Sequence, residues 1–263
     1  MGVLSQFLGT PAPTGPSSVR AALYRFYFRA ERAIVPSLRS SQDRYYETLR
    51  SCLSPASRWL DLGCGHHLYA DGMAGERADV IGRSGYVAGI DLNSAGLRPH
   101  PGLSPRVSGD LSRLPFTPAA WDVISANMVM EHVTDPAAVL QEVHESLRPG
   151  GIFIFHTPNA YHWGTIVARC LADGSEHWLI RLLEGREEAN VFPAHYRINT
   201  AARIRRLADA NGFDVVHIAH VSSSATLSML GPLVLPELAF IRLIQLPLFA
   251  QLRSGLVVTL RKR

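Results

Sequence analysis

The feature that most constrains this fold is a short apolar run, Arg58 to Leu62, that empties into the glycine turn Asp61-Leu62-Gly63-Cys64-Gly65. Two glycines between a strand and a helix let the chain turn tightly and leave backbone amides exposed with no Cβ in the way. That is how the carboxyl edge of a parallel sheet receives a nucleotide-like ligand. A G-x-G pair also serves ordinary turns, so the elements that follow must decide. Gly85 to Asp91 is a second apolar run, separated from the first by a helical stretch around Met73 to Ile81, which makes a βαβ unit. A third strand near Arg106 to Gly109 and a fourth at Asp122 to Ala126 precede a helix with strong end signals. Asp135 is its N-cap, Pro136 its first helical residue, and Val139, Leu140, Val143 and Leu147 share one face before Pro149-Gly150-Gly151. Gly151 to Thr157 is apolar throughout, as a strand buried on both faces should be. The pattern predicts an α/β, doubly wound sheet.

Beyond it, Thr200 caps a helix running to Asn211-Gly212, Phe213 to Ala219 forms a sixth strand, and Gly255 to Leu260 a final one. Before the first strand, Leu23, Phe26, Tyr27 and Ala30 recur at helical spacing up to Pro36, and a second helix carries Tyr45, Tyr46 and Leu49. The expected organisation is a mobile tail at 1–18, rich in proline from residue 10, cap helices over 19–55, and the main domain over 56–263. Two insertions interrupt that domain: a lid at 158–199 and an apolar segment at 222–252.

The strand ends carry acids. Asp91, with Leu92 beside it, stands where a carboxylate accepts both hydroxyl hydrogens of a ribose. Asp110 can accept from an adenine amino group while the Leu111 amide donates to the ring, although a helix cap would explain Asp110 alone. With Asp61, three acids close three successive strands. Asp91 follows Asp61 by 30 residues where about 20 is usual, so the connection after Gly65 is long.

From Trp59 to Asn159 the chain resembles the methyltransferase family that includes the ubiquinone-biosynthesis enzymes (methyltransferase type 11). The resemblance is carried by WLDLGCG at 59–65, GIDLN at 89–93, GDLSRLPF at 109–116, WDVISANMVMEHV at 121–133, LRPGG at 147–151 and HTPN after the fifth strand. It implies a class I, Rossmann-like sheet of seven strands, mostly parallel with an antiparallel last strand, and S-adenosylmethionine as cofactor. It places Asp61, Gly63, Cys64 and Gly65 around the methionine part, Asp91 and Leu92 at the ribose, Asp110 and Leu111 at the adenine, and Asn127 near the methionine end. The chain departs from the family at His67, where a third glycine is common. His66 and His67 either contact the cofactor carboxylate or are surface and packing histidines beside an altered turn. Adjacent histidines do not make a metal site, and none is expected.

Methyl transfer from a sulfonium needs alignment and desolvation more than a strong catalytic group. For a hydroxyl acceptor a base helps, and His132 in Met-Glu-His-Val is best placed by topology; the alternative is a histidine packed at a helix base. His156, His162 and His195 are further candidates. Tyr45, Tyr46, Trp163 and Tyr196 are candidates for an acceptor pocket, with Tyr161 and Phe192, against a reading as plain hydrophobic packing. The expected acceptor is a small molecule, glycan or lipid-linked compound. Asn127-Met128-Val129-Met130 lacks the Pro-Pro-aromatic pattern of adenine-amino methyltransferases, so no nucleic-acid partner is expected. A noncatalytic cofactor-binding domain of the same fold is the rival reading, and a nicotinamide dehydrogenase the next.

The net charge of +4 rests on arginine, with Lys262 the only lysine, and the cluster Arg203, Arg205, Arg206 reads as a solvated helix face. Cys52, Cys64 and Cys170 form no framework, which points to a reducing, cytoplasmic setting without a targeting segment. Leu227 to Leu252 is leucine-rich but broken by Pro232, Pro236 and Pro247. It has no run of the ~20 residues a bilayer span requires, and either meets a membrane surface or packs on its own sheet or a second subunit, which would make a homodimer.

Overall fold

The computed structural model describes residues 19–65, 79–92, 105–170 and 193–263. The expected tail 1–18, His66 and His67, most of the Met73–Ile81 helix, and Phe192 in the lid lie outside the described residues.

Seven strands form one sheet: β1 Arg58–Leu62, β2 Tyr86–Asp91, β3 Arg106–Ser108, β4 Trp121–Asn127, β5 Leu147–Pro158, β6 Phe213–Val221 and β7 Gly255–Lys262. Their order is β3-β2-β1-β4-β5-β7-β6. β1 to β5 run parallel, and β7 lies antiparallel between β5 and β6, so β6 again points the same way as β5. This is the expected doubly wound, Rossmann-like sheet with an antiparallel last strand. Its carboxyl edge gathers Leu62, Asp91, Asn127, Pro158 and Val221.

Alternation along β1 sorts side chains between two helical layers. Leu60 and Leu62 join a core built with Ile90, Ile124, Phe153 and Phe155 against α3 (Pro136–Ser146) and α5 (Ala201–Ala210). Trp59, Val87, Val123 and Ile154 face the other way, onto Tyr45, Tyr46 and Leu49 of α2 (Ser41–Cys52). Asp135 and Thr200 cap their helices as the sequence predicts, and Ser40, with no reading of its own there, does the same for α2. Asp135 accepts from the amides of Ala137 and Ala138, Ser40 from Asp43 and Thr200 from Arg203, each at a helix start.

Two local differences have physical causes. Leu147, placed by the pattern on the apolar face of the helix, lies beyond it: α3 ends at Ser146, and Leu147 to Gly150 belong to β5. Leu147 pairs with Trp121 and the Arg148 guanidinium meets Asp122 at 2.8 Å, which holds this stretch to the sheet across a register shift between Trp121 and Val123. Second, the prolines of the leucine-rich segment do not prevent a helix. Pro236 falls in the first turn of α6 (Val234–Ile244), and Pro232 and Pro247 open short 3-10 turns, positions where no amide is missed. The two N-terminal helices also part company. α2 packs on the sheet, whereas α1 (Val19–Ile34) packs on α6, with Tyr27, Val35, Val234, Leu238 and Ile241 forming a separate core. α4 (Trp163–Cys170) follows β5. No helix among the described residues is long and apolar enough to cross a membrane.

Candidate functional site

β1 delivers the chain into the glycine turn, where Gly63 and Gly65 take φ of +67° and +50°. The amides of Gly63 and Cys64 both donate to the Ile90 carbonyl, at 2.7 and 3.2 Å, which ties the turn to the end of β2. A Cβ on Gly63 would stand 2.4 Å from Val129 Cγ2, so this turn tolerates only glycine there. Gly65 is clasped from two sides. Its amide donates to Asp91 Oδ2 at 2.8 Å, and its carbonyl accepts from Arg106 Nη2.

Beneath the turn, Asp61 is buried in an otherwise apolar strand. Ser125 Oγ donates to Asp61 Oδ1 and accepts the indole N–H of Trp59 at 2.7 Å, so one hydroxyl on β4 satisfies two buried groups on β1. Burial lifts the Asp61 carboxyl to about 7, with the charge of Asp91 adding and Ser125 opposing. Burial likewise pushes the Cys64 thiol up to about 11, so Cys64 fills space and is no nucleophile. Of the other cofactor candidates, Leu92 is exposed and Leu111 is half-buried against the core. Asp110 sits two residues past β3 and its Oδ1 accepts from the Ser112 amide at 2.9 Å, the contact of a tight turn.

At the end of β4, Asn127 is held by three partners. Its amide nitrogen donates to Gln42 Oε1 at 2.8 Å and to the Tyr46 hydroxyl at 3.3 Å, and its carbonyl accepts from His156 Nδ1 at 3.0 Å. Burial lowers the His156 pKa to about 4, so the ring is neutral and, with Nδ1 donating, its proton is on that nitrogen. Tyr45 stacks on His156 with centroids 6.0 Å apart. Tyr45 and Tyr46, expected to line an acceptor pocket, are buried between α2 and the sheet, where Tyr46 meets Asn127 and Tyr45 meets His156.

A 3-10 turn, Met130 to His132, follows Met128, which itself takes φ of +55°. His132 Nδ1 lies 3.0 Å from the Pro193 carbonyl, which can only accept, so Nδ1 carries hydrogen. Its Nε2 then lies on the side of Glu131, 3.9 Å from Oε1. Glu131 is buried, which lifts its carboxyl to about 7 against the hydrogen bond from Thr157. Its backbone carbonyl accepts the amides of His195 and Tyr196. Asn199 donates to Thr157 at 2.7 Å, and so links the chain before α5 to β5.

The structure therefore brings Asp61, Gly63, Cys64, Gly65 and Asp91 into one bonded turn, and Asn127, Tyr45 and Tyr46 into a second cluster on the same edge. Tyr196 stands near Glu131 and His132, whereas Trp163 opens α4 beside His162, with ring centroids 5.7 Å apart. Sequence reasoning missed Ser125, Arg106, Gln42 and Glu131. Ser125 had a signal, because a carboxylate inside an apolar strand demands a donor and the neighbouring apolar strand holds one hydroxyl. Gln42 had none, since 85 positions separate it from Asn127.

A family model described as a methyltransferase domain matches residues 32–218, well over half of the chain. Over 174 residues the chain is 32% identical to a Mycolicibacterium smegmatis protein named "Probable S-adenosylmethionine-dependent methyltransferase", which covers 65% of this chain and 57% of that protein. It is also 32% identical over 155 residues to a ubiquinone biosynthesis O-methyltransferase of Paracidovorax citrulli, with 57% and 63% covered. The chain thus spans less than two thirds of the length of these curated relatives. A crystal structure of an S-adenosylmethionine dependent methyltransferase from Mesorhizobium loti superposes with a TM-score of 0.50 at 20% identity over 90% of this chain and 98% of that one, a likeness of fold alone.

Proposed function

The chain belongs to the family of methyltransferase domains, and from that premise we propose that it transfers a methyl group from S-adenosylmethionine to a small-molecule, glycan or lipid-linked acceptor by in-line displacement. The observation that carries the reading is the turn itself, with Gly63 and Gly65 at positive φ and Gly65 clasped by Asp91. The residues fit the cofactor. A Cβ built on Gly65 meets nothing within 4 Å among the described residues. Asp61 and Asp91 surround it with carboxylates suited to a cationic ligand with ribose hydroxyls. Asp61, Gly63, Cys64 and Gly65 would hold the methionine part, Asp91 and Leu92 the ribose, Asp110 and Leu111 the adenine, and Asn127 the reacting end.

The bound cofactor supplies a methyl group on a sulfonium, which leaves the protein to align the acceptor and exclude water. Asn127, fixed through Gln42, Tyr46 and His156, offers a side chain that loses little freedom on binding. His132, its Nδ1 directed at the Pro193 carbonyl, leaves Nε2 as the ring nitrogen that would take a proton from a hydroxyl acceptor. Trp163 and Tyr196 flank the acceptor, while Tyr45 and Tyr46 act from behind Asn127. Three free cysteines support a cytoplasmic setting.

The test incubates the purified protein with methyl-labelled S-adenosylmethionine and aqueous and organic extracts of its host. Label should pass into a product, and Asp91→Ala should abolish this. Cofactor binding without any labelled product would favour a noncatalytic, cofactor-binding domain instead.

A further inference from the structure

The lobe formed by α1 and the segment between β6 and β7 carries exposed apolar side chains beside arginines. On the inner face of α6, Val234, Leu238 and Ile241 are buried in the lobe core and Ile244 is buried as well. Its outer face is also apolar: Leu235 and Leu243 are exposed, and beyond its end Leu246 and Leu248 are 53% and 84% exposed. A helix apolar on both faces has a second surface to bury against.

Charge says what that surface is. Over 19–38 and 222–253 the only acids are Glu31 and Glu237. Glu237 is buried, accepting the amides of Thr226 and Leu227 at 2.8 and 2.7 Å, and Glu31 accepts from the Tyr27 hydroxyl. Both are spent on structure, whereas Arg25, Arg29, Arg32 and Arg242 are exposed. Arg242 joins the two elements, its Nη1 donating to the Ile34 carbonyl at the end of α1. Exposed leucines amid arginines, with no exposed acid, complement an anionic, partly apolar plane. They do not complement a second copy, because a two-fold contact sets a patch against itself and would place arginine against arginine.

Position adds a third argument. Residues 222–254 leave the sheet at Val221 and return at Gly255, on the same carboxyl edge as the glycine turn and Asn127. Exposed Tyr161, Ile166 and Val167, which follow β5, stand at that edge as well. We propose that the lobe of α1 and α6 docks on the surface of an anionic membrane, leucines entering the headgroup boundary and arginines meeting lipid phosphates, with the methyltransferase site's edge toward the bilayer. This surface is independent of whether the site transfers methyl groups.

The test is co-sedimentation of the whole chain with sucrose-loaded vesicles. Vesicles of phosphatidylcholine with about 30% phosphatidylglycerol should bind at least ten-fold more tightly than phosphatidylcholine alone, because each arginine near the surface adds electrostatic attraction. Leu243→Asp with Leu248→Asp should weaken binding more than ten-fold. Both positions are exposed, so circular dichroism and thermal midpoint should not move. Arg29→Glu with Arg32→Glu should remove the preference for anionic lipid and its sensitivity to salt. Equal binding by the leucine variant, or no sedimentation with anionic vesicles, overturns the proposal. So does a dimer in analytical ultracentrifugation that Leu243→Asp dissolves.

Discussion

Replacing Gly63 by alanine tests whether the glycine turn has the conformation described, and its cost divides into two separable parts. With φ at +67° an L-residue is in left-handed backbone, which costs about 1–2 kcal/mol. The added methyl would also lie 2.4 Å from Val129 Cγ2. Val129 is β-branched and cannot swing aside cheaply, so overpacking adds about 1–3 kcal/mol. Gly63→Ala should therefore lose about 2–5 kcal/mol of unfolding free energy. Gly65→Ala, at φ +50° with nothing within 4 Å of its Cβ among the described residues, should cost the backbone part, about 1–2 kcal/mol. Adding Val129→Ala to Gly63→Ala should restore the overpacking part, measured against Val129→Ala by itself. Urea unfolding of the four ligand-free proteins, beside the wild type, yields the double-mutant coupling. Coupling below about 0.5 kcal/mol, the usual limit of additivity, would refute the close approach of Gly63 to Val129.

Two further expectations concern the acids beneath that turn. Ser125→Ala removes the acceptor of the Trp59 indole and the donor to Asp61, both buried, and should cost about 2–4 kcal/mol in urea unfolding, given ~1–3 kcal/mol for each orphaned group; a loss under 0.5 kcal/mol would contradict the network. The carboxyl of Asp61 stands at about 7 in the fold against 3.8 ordinarily, so the folded state holds a proton the unfolded chain releases. Stability from this group is complete below about pH 4 and is lost as pH rises through 7. Asp61→Asn should accordingly gain on the wild type between pH 4 and 7. Glu131, raised in the same sense, is present in both proteins and cancels. A stability difference that does not change with pH would sink the assignment.

Much of the sheet was legible because its strands are short apolar runs ended by residues with special backbone or polar roles. Arg58–Leu62 stops at Gly63, and Asp135 with Pro136 starts α3 where the pattern places it. The carboxyl edge was legible too, since a Rossmann-like order puts the ends of β1, β2 and β4 side by side. What the pattern could not show are contacts between residues distant in sequence. Nothing local says that Gln42 and Tyr46 hold Asn127, or that Arg106 closes on Gly65. The tyrosines illustrate the limit: an aromatic near a site reads as a pocket wall, and nothing local says that Tyr46 also meets the Asn127 side chain or that Tyr45 stacks on His156. The separation of α1 from α2 was equally hidden. It depends on α6, whose sequence looked broken by prolines that occupy helix starts.

The central claim is that the clasped turn binds S-adenosylmethionine, and isothermal titration of the purified chain with that compound tests it most directly. The account predicts dissociation in the micromolar range, about −8 kcal/mol. It also predicts a loss of 100-fold or more, about 2.8 kcal/mol, on Asp91→Ala, which removes both the acceptor for the Gly65 amide and the ribose contact. No binding by the folded wild type at millimolar S-adenosylmethionine, or unchanged affinity in Asp91→Ala, would contradict it.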